Sequence, residues 1–299
     1  MPIRYVALVL ALAVVMPLAQ GRPMPQVVAD ELLEADRAFS TAASSTDVVT
    51  ALARTFAPNV IMPGAPAQLY RGIDAVTATL RAAPDANARA QWTPVRAGVS
   101  ADGLHGFTYG FMTLTRPDAT TVPLKYMAYW VKDASGWRVA GYKRARRPEG
   151  PVTQALMPAF LPASIVPPRA DEAWLASLRA SLARAEQAFS DDAQMVGLGP
   201  AFAKWGAASA ANMGGPTSGV YLIGPEAIAR SVGAGAPEPR SPVVWSTETA
   251  IVASSGDLGI SFGFIRPVQP EAGAAPSGVP FFTIWSRPGG SGDWRYIAE

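Results

Sequence analysis

The sequence predicts an α+β protein made of two tandem copies of one unit, in which three helices come first and an antiparallel sheet follows. Two observations lead to this prediction. The stretch from Ala35 to about Ala145 recurs, in the same order, between Ala185 and Glu299. Within each copy, apolar residues at helical spacing give way to long runs of aromatic and β-branched residues, which are typical of strands.

The repeat is strongest in the second half of each copy. The segment GFTYGF at 106–111 returns as GISFGF at 259–264, Trp92 returns as Trp245, and Trp130 returns as Trp285. One coincidence would mean little, but several matches in the same order indicate an internal duplication.

Each copy opens on an amphipathic helix, because apolar residues recur every three or four positions. They are Leu32, Ala35, Phe39 and Ala43 in the first copy, and Leu175, Leu178, Leu182, Ala185 and Phe189 in the second. Second helices are expected at about 47–56 and 195–205. Third helices follow, with Asp74 and Glu226 in their first turns, where a carboxylate meets the positive end of the helix dipole.

Four long strands follow the third helix of the first copy. They are expected at 92–101, 106–116, 122–132 and 137–144, with turns that contain Gly, Pro or Asp between them. Runs of about ten residues joined by short turns predict an antiparallel meander. The second copy repeats the pattern with a longer loop between Pro267 and Gly278.

A proline-rich segment separates the copies. It contains Pro148, Pro151, Pro158, Pro162, Pro167 and Pro168. Proline at this density prevents helices and strand ladders, so residues 147–169 are predicted to be a linker that packs on a domain surface. The domains are accordingly expected at 27–146 and 170–299.

The N-terminus has the pattern of a secretory signal peptide. Arg4 precedes an apolar run from Tyr5 to Leu18, and Ala19-Gln20-Gly21 offers small residues for cleavage. We therefore expect a signal peptide at 1–21 and a periplasmic or secreted mature protein without a membrane contact. An uncleaved anchor is the alternative.

Composition excludes several classes of function. The chain has no cysteine and one histidine, which rules out thiol chemistry and argues against a zinc site. A net charge of +2 gives no sign of a nucleic-acid partner. Without a phosphate-binding loop or a serine-hydrolase motif, we expect neither a cofactor nor a metal.

Several motifs of the first copy resemble those of a known superfamily. They are EADRAF at 34–39, Arg71-Gly72, Trp92 with Tyr109-Gly110, KYMAYW at 125–130 and GWR at 136–138. Together they are similar to the NTF2-like superfamily and, more narrowly, to its SnoaL-like or DUF4440-type domains. The resemblance is weaker in the second copy, where Glu186 stands in place of Asp36. It implies two tandem cone domains, in each of which a strongly curved antiparallel sheet encloses a mostly apolar cavity.

Asp36 is the candidate catalytic residue, because a carboxyl group in an apolar pocket has a raised pKa and can act as a general base. The alternative is a structural carboxylate that accepts hydrogen bonds. The candidate ligand-binding residues are Tyr70, Trp92, Tyr109, Lys125, Tyr126 and Trp130. Lys125 has the alternative of an exposed strand residue, and His105 is expected in an exposed turn.

Three functions are compatible with these observations. The first is binding of a small apolar molecule in one or both conical cavities. The second is an isomerase, dehydratase or cyclase that uses Asp36 as a general base. The third is a structural or partner-binding module, in which the two copies form an internal pseudo-dimer.

Overall fold

The structure, a computed structural model, describes residues 22–65, 67–234, 240–269 and 278–299. In these ranges the chain forms two units with the same order of α-helices and strands, each with three α-helices and six strands, and the second also has a short 3-10 helix (Pro288–Gly290). The predicted signal peptide at 1–21 lies outside the described residues. None of the helices within the described residues is long and apolar enough to cross a bilayer.

The first unit begins with two helices, continues through a short hairpin and a third helix, and ends with four long strands. Its elements are α1 (Pro25–Ala43), α2 (Val48–Thr55), β1 (Phe56–Gly64), β2 (Gln68–Arg71), α3 (Ile73–Arg81), β3 (Arg89–Val99), β4 (His105–Thr115), β5 (Thr121–Asp133) and β6 (Gly136–Arg146). Asp47 caps α2 by accepting a hydrogen bond from the Thr50 amide at 2.9 Å.

The second unit repeats this order with shorter strands. Its elements are α4 (Glu172–Val196), α5 (Leu198–Trp205), β7 (Gly206–Asn212), β8 (Leu222–Ile223), α6 (Pro225–Val232), β9 (Val243–Val252), β10 (Leu258–Pro267), β11 (Val279–Ser286) and β12 (Arg295–Ala298). The predicted first-turn carboxylates are present in α3, which has Asp74, and in α6, which has Glu226.

The two sheets have equivalent strand orders, β2-β1-β6-β5-β4-β3 and β8-β7-β12-β11-β10-β9. The predicted α+β class with two tandem units is confirmed, and so is the antiparallel meander β3 to β6. The sheets are nevertheless mixed, because β1 runs parallel to β6 and β7 runs parallel to β12. The pairing of β1 with β2 was not among the predictions from sequence, which placed strands only after the third helix.

The two faces of the first sheet have different neighbours. Tyr126 and Trp130 of β5 join the apolar core shared with the helices, whereas Met127 and Tyr129 join a core shared with the second unit. This division follows from the two-residue period of a strand. The second unit contributes Ile260 and other residues of its own sheet to the shared core. The two sheets therefore pack against each other through the faces that point away from their helices.

Polar contacts at one end of this interface are reciprocal between the units. Asp102, in the turn between β3 and β4, accepts a hydrogen bond from the Ser254 amide at 2.7 Å. Asp257, at the equivalent turn of the second unit, accepts one from the Ala101 amide at 2.9 Å. Hydrogen bonds to ionised groups are stronger than those between neutral groups, so these pairs help to fix the relative register of the two turns.

The proline-rich segment runs along the edge strand β3. The amides of Met157, Phe160 and Val166 donate to the carbonyls of Val95, Ala97 and Ala101, at distances of 2.7, 2.9 and 2.7 Å. Phe160 also accepts a hydrogen bond from the Val99 amide at 3.0 Å. The segment thus covers part of an edge that would otherwise expose unpaired backbone groups.

Candidate functional site

A buried carboxyl group lies on the opening helix of the first unit. Asp36 of α1 is 1% exposed, and its two oxygens accept hydrogen bonds from Trp92 Nε1 and the Tyr126 hydroxyl, both at 2.7 Å. Burial raises the pKa of Asp36, while these hydrogen bonds work in the opposite direction.

The second unit has an equivalent group in Glu186 of α4, also 1% exposed. It accepts hydrogen bonds from Trp245 Nε1 at 2.8 Å, from the Ser261 hydroxyl at 2.5 Å and from Trp285 Nε1 at 3.0 Å. Burial raises its pKa to about 7. A carboxyl group bound to a strand tryptophan is thus common to both units.

The interior of the first unit around Asp36 is filled with side chains. Met112, Leu114, Tyr126 and Tyr142 are each no more than 2% exposed and belong to one apolar cluster with Leu32 of α1. Tyr126 and Tyr142 are large side chains, and they occupy the space between the helices and the sheet. Asp36 is therefore enclosed by packed groups.

The interior of the second unit contains a cavity of about 320 Å³. Its walls are mostly apolar and come from α4, α5, α6 and the strands of the second sheet. The lining residues are Lys143, Glu186, Phe189, Leu198, Phe202, Asn212, Met213, Gly214, Val232, Val243, Trp245, Ile265, Phe281, Phe282, Thr283 and Glu299. A volume of this size lies within the range of roughly 300–1,000 Å³ that small-molecule sites occupy.

The difference between the interiors follows from side-chain size at equivalent positions. The strand β6 contributes Tyr142 to the filled interior of the first unit. The place that Tyr142 fills in the first unit corresponds to Glu299 in the second. Tyr126 likewise corresponds to Phe281, which lines the cavity.

One end of the cavity is polar and combines residues of both units. The Glu299 carboxyl accepts a hydrogen bond from Asn212 Nδ2 at 2.6 Å, and burial raises its pKa to about 7. Lys143 reaches the same cavity from β6 of the first unit. Burial lowers the pKa of its ammonium group to about 8, which Glu299 partly opposes.

The wall formed by residues 213–221 is held by the first unit. Lys125 Nζ donates to the backbone carbonyls of Met213 and, at 2.6 Å, Ser218. The Tyr221 hydroxyl lies 3.0 Å from the Gly110 carbonyl and 2.5 Å from the Tyr126 carbonyl, both in the first unit. These contacts fix the loop from which Met213 and Gly214 face the cavity.

The structure brings together three of the candidates proposed from sequence, namely Asp36, Trp92 and Tyr126. Trp130 lies on the same face of the sheet and donates to the Thr108 hydroxyl at 2.9 Å. Tyr70 is only partly buried against the same apolar core, and its hydroxyl donates to the Ala65 carbonyl at 2.6 Å.

Tyr109 and Lys125 lie on the opposite face, which packs against the second unit. The Tyr109 ring is 4.5 Å from the Tyr221 ring, and Lys125 is fully buried rather than exposed. His105 also differs from expectation, since it begins β4 and its Nδ1 lies 3.0 Å from the Tyr129 hydroxyl. Burial lowers its pKa. These three placements share one cause, because the interface covers a face that a single unit would expose.

The charged residues of the cavity were not among the candidates from sequence. The repeat aligns Glu186 with Asp36, and that alignment was the available signal for Glu186. Lys143 belongs to a different unit, and no local pattern indicates that it reaches the cavity. No group of three His, Asp or Glu side chains within the described ranges is arranged to hold a metal ion.

No family model matches the sequence, and no curated protein matches it. Several solved structures are similar in fold. A putative dehydratase of the NTF2-like family from Streptomyces avermitilis has 14% identity and a TM-score of 0.33, over 41% of this chain and 97% of its own. An NTF2-like protein of unknown function from Shewanella oneidensis has 14% identity and a TM-score of 0.31, over 40% and 98%. A ketosteroid isomerase-like protein from Erwinia carotovora has 15% identity and a TM-score of 0.27, over 41% and 93%.

Proposed function

We propose that the second unit binds a small, mostly apolar molecule in its cavity, and that the first unit serves as a packed scaffold for it. The observation that carries this proposal is the contrast at equivalent positions. Tyr126 and Tyr142 fill the first interior, whereas Phe281 and Glu299 line an open volume of about 320 Å³. Burial of apolar ligand surface in such a volume is the main source of affinity.

The scaffold role rests on the contacts that cross the interface. Lys125 and Tyr221 hold the loop that carries Met213 and Gly214, and Lys143 supplies one of the charges at the cavity. We propose that the two units act together as an internal equivalent of a dimer. In this arrangement, neither unit alone supplies every wall of the binding site.

Binding can be tested with the neutral fluorescent amine N-phenyl-1-naphthylamine, whose emission rises in apolar surroundings. The expected result is saturable binding to the wild type. Ile265→Trp, which places a larger side chain in the cavity, is expected to lower the affinity at least about tenfold, because overpacking removes the space for the ring system.

The matched control is Ile223→Trp, since Ile223 is an exposed residue of β8 and does not line the cavity. It is expected to bind the dye as the wild type does, and thermal unfolding of both variants checks that they are folded. Equal affinity of Ile265→Trp and the wild type would place the dye elsewhere and overturn the proposal. Native mass spectrometry of the purified protein would identify a ligand that copurifies.

A second candidate function is proton transfer by Glu186, favoured by its position at the cavity and its pKa of about 7. A general base that works near neutral pH needs such a pKa. This candidate places the general base in the second unit, because packed side chains surround Asp36. It predicts that Glu186→Gln still binds the ligand but no longer exchanges an acidic C–H proton of the ligand with solvent. Proton nuclear magnetic resonance in deuterated water measures this exchange.

Export of the protein is proposed from the N-terminal pattern alone. The test is the N-terminal mass of the protein recovered from a bacterial host after expression of the full sequence. A mature chain that begins near Gly21 or Arg22 supports export, and an intact Met1 in the soluble fraction contradicts it.

A further inference from the structure

The ionisable groups around the cavity are unevenly divided between acids and bases. Glu186 comes from α4, Glu299 follows β12, and Lys143 comes from β6 of the other unit. Tyr296 of β12 lies near Glu299, but its pKa is raised so that it stays neutral. When both carboxyl groups are ionised, these side chains together carry one uncompensated negative charge.

Both carboxyl groups keep unused capacity to accept hydrogen bonds. An ionised carboxylate can accept about four hydrogen bonds. Glu186 accepts three from protein side chains, and Glu299 accepts one from Asn212. Neither takes part in an ion pair with a residue that the structure describes. Lys143 is near enough to Glu299 to oppose the rise of its pKa, but it forms no ion pair with it. A positively charged donor in direct contact is therefore what both carboxyl groups lack among the described residues.

The electrostatic setting agrees with this geometry. Burial is the largest cause of the raised pKa of each carboxyl group, and the charge of Glu299 contributes to the shift at Glu186. Both carboxyl groups line the same cavity, so the ionisation of one opposes the ionisation of the other. A cation between them would remove this repulsion and replace part of the lost hydration.

The walls also suit an organic cation. Phe189, Trp245, Phe281 and Phe282 line the cavity, and aromatic faces attract ammonium groups. Lys143 already shows this contact, with its Nζ 4.6 Å from the centre of the Phe282 ring. The rest of the lining is apolar, with side chains such as Val232 and Ile265 around the remaining volume.

We propose that the ligand of this cavity is an apolar amine, whose ammonium group binds at Glu186 and Glu299 and whose hydrocarbon body fills the apolar part. This inference rests on the proposed binding function and names the chemical class of its ligand. An organic acid of the same size would place a third negative charge beside the two carboxylates, and an alcohol would leave their charge unpaired.

The test compares three ligands that share one body and differ in the head group, namely 4-phenylbutylamine, 4-phenylbutan-1-ol and 4-phenylbutyric acid. Their affinities are measured by calorimetry at pH 6 and pH 8. At pH 8 the amine is expected to bind at least about tenfold more tightly than the alcohol. A tenfold ratio corresponds to about 1.4 kcal/mol of binding free energy. Its affinity is expected to fall at pH 6, because protonated carboxyl groups must lose protons when an ammonium group binds.

The variants Glu186→Gln and Glu299→Gln are each expected to lower the ratio of amine to alcohol affinity. Glu172→Gln is the control, because it removes an exposed carboxylate from the same helix α4 and changes the net charge equally. It should leave the ratio unchanged. The two glutamine variants test the inference independently, so a folding defect in one leaves the other informative.

Different outcomes separate the two proposals. If the alcohol or the acid binds as tightly as the amine, the ligand class is wrong and the binding function stands. An amine affinity that rises at pH 6 would also overturn the ligand class. If none of the three ligands and no neutral dye binds in the cavity, the binding function itself fails.

Discussion

The interiors of the two units differ although the same structural element lies at the centre of each. In both, a carboxyl group on the opening helix accepts a hydrogen bond from a tryptophan of the first long strand. In the first unit a tyrosine hydroxyl also donates to this carboxyl group, and side chains fill the space around it. In the second unit Ser261 and Trp285 donate the further hydrogen bonds, and a cavity remains beside Phe281. The shared element thus supports the fold, and the residues around it decide whether the interior is open.

The largest expected effect comes from removal of the shared carboxyl group. Asp36→Ala leaves Trp92 Nε1 and the Tyr126 hydroxyl without acceptors inside a filled interior, and it should lower the free energy of unfolding by about 4 kcal/mol. Glu186→Ala should cost only about 2 kcal/mol, because water in the cavity can replace the lost acceptor. Urea denaturation followed by tryptophan fluorescence measures both.

Asp30→Ala is the matched control for this comparison, since Asp30 is an exposed carboxylate on the same helix α1. Its effect on unfolding should be within about 0.5 kcal/mol of zero. Equal losses of unfolding free energy for Asp36→Ala and Glu186→Ala would mean that water in the cavity does not replace the lost acceptor. The contrast between a filled and an open interior would then be wrong.

A second effect concerns pH. In the folded protein burial raises the pKa of Glu186 to about 7, whereas the ordinary pKa of a glutamate is 4.5. The stability that this proton contributes is fully present below pH 4.5 and is lost as the pH rises through 7. In the wild type, Glu186 alone should therefore lower stability by about 3 kcal/mol across this range, at 1.4 kcal/mol per pKa unit.

Glu186→Gln should abolish this part of the pH dependence, since an amide does not titrate. The measurement is the difference in unfolding free energy between variant and wild type at several pH values from 5 to 8. Glu172→Gln, which removes an exposed carboxylate, should show a nearly constant difference. A constant difference for Glu186→Gln as well would show that Glu186 is ionised throughout.

The sequence predicted the architecture better than the site, for a physical reason. Strand and helix periodicity are local, and the repeat doubled the signal for each element, so GFTYGF and GISFGF correctly marked β4 and β10. The placement of Lys125, Tyr109 and His105 depends on which face of the sheet meets the second unit, and no local pattern encodes that. Likewise, the open cavity depends on Phe281 and Glu299 in place of tyrosines, a difference in volume that only the packed structure reveals.

A smaller effect on stability is expected from a substitution in the first unit that introduces the residue of the second unit. Tyr126→Phe copies the residue found at the equivalent position, Phe281, and removes one hydrogen bond to Asp36. The loss should be about 1.5 kcal/mol, since Asp36 keeps its bond to Trp92 and loses one charge-assisted partner. Tyr142→Phe is the control and should cost less, because the Tyr142 hydroxyl donates to Met112 Sδ, a weak acceptor, at 3.9 Å and not to Asp36. A greater loss for Tyr142→Phe would contradict this assignment.

The smallest effect on stability is expected from the reverse substitution in the second unit. This substitution also tests most directly why one interior is filled and the other is open. Phe281→Tyr adds a hydroxyl to the cavity at the position equivalent to Tyr126, and should change the unfolding free energy by less than about 1 kcal/mol. Dye affinity should nevertheless fall several-fold, because the added group takes volume and acceptor capacity from the cavity. Phe281→Leu enlarges the same wall and should retain binding. If Phe281→Tyr binds the dye as the wild type does, the open interior must depend on Glu299 in place of a tyrosine rather than on Phe281.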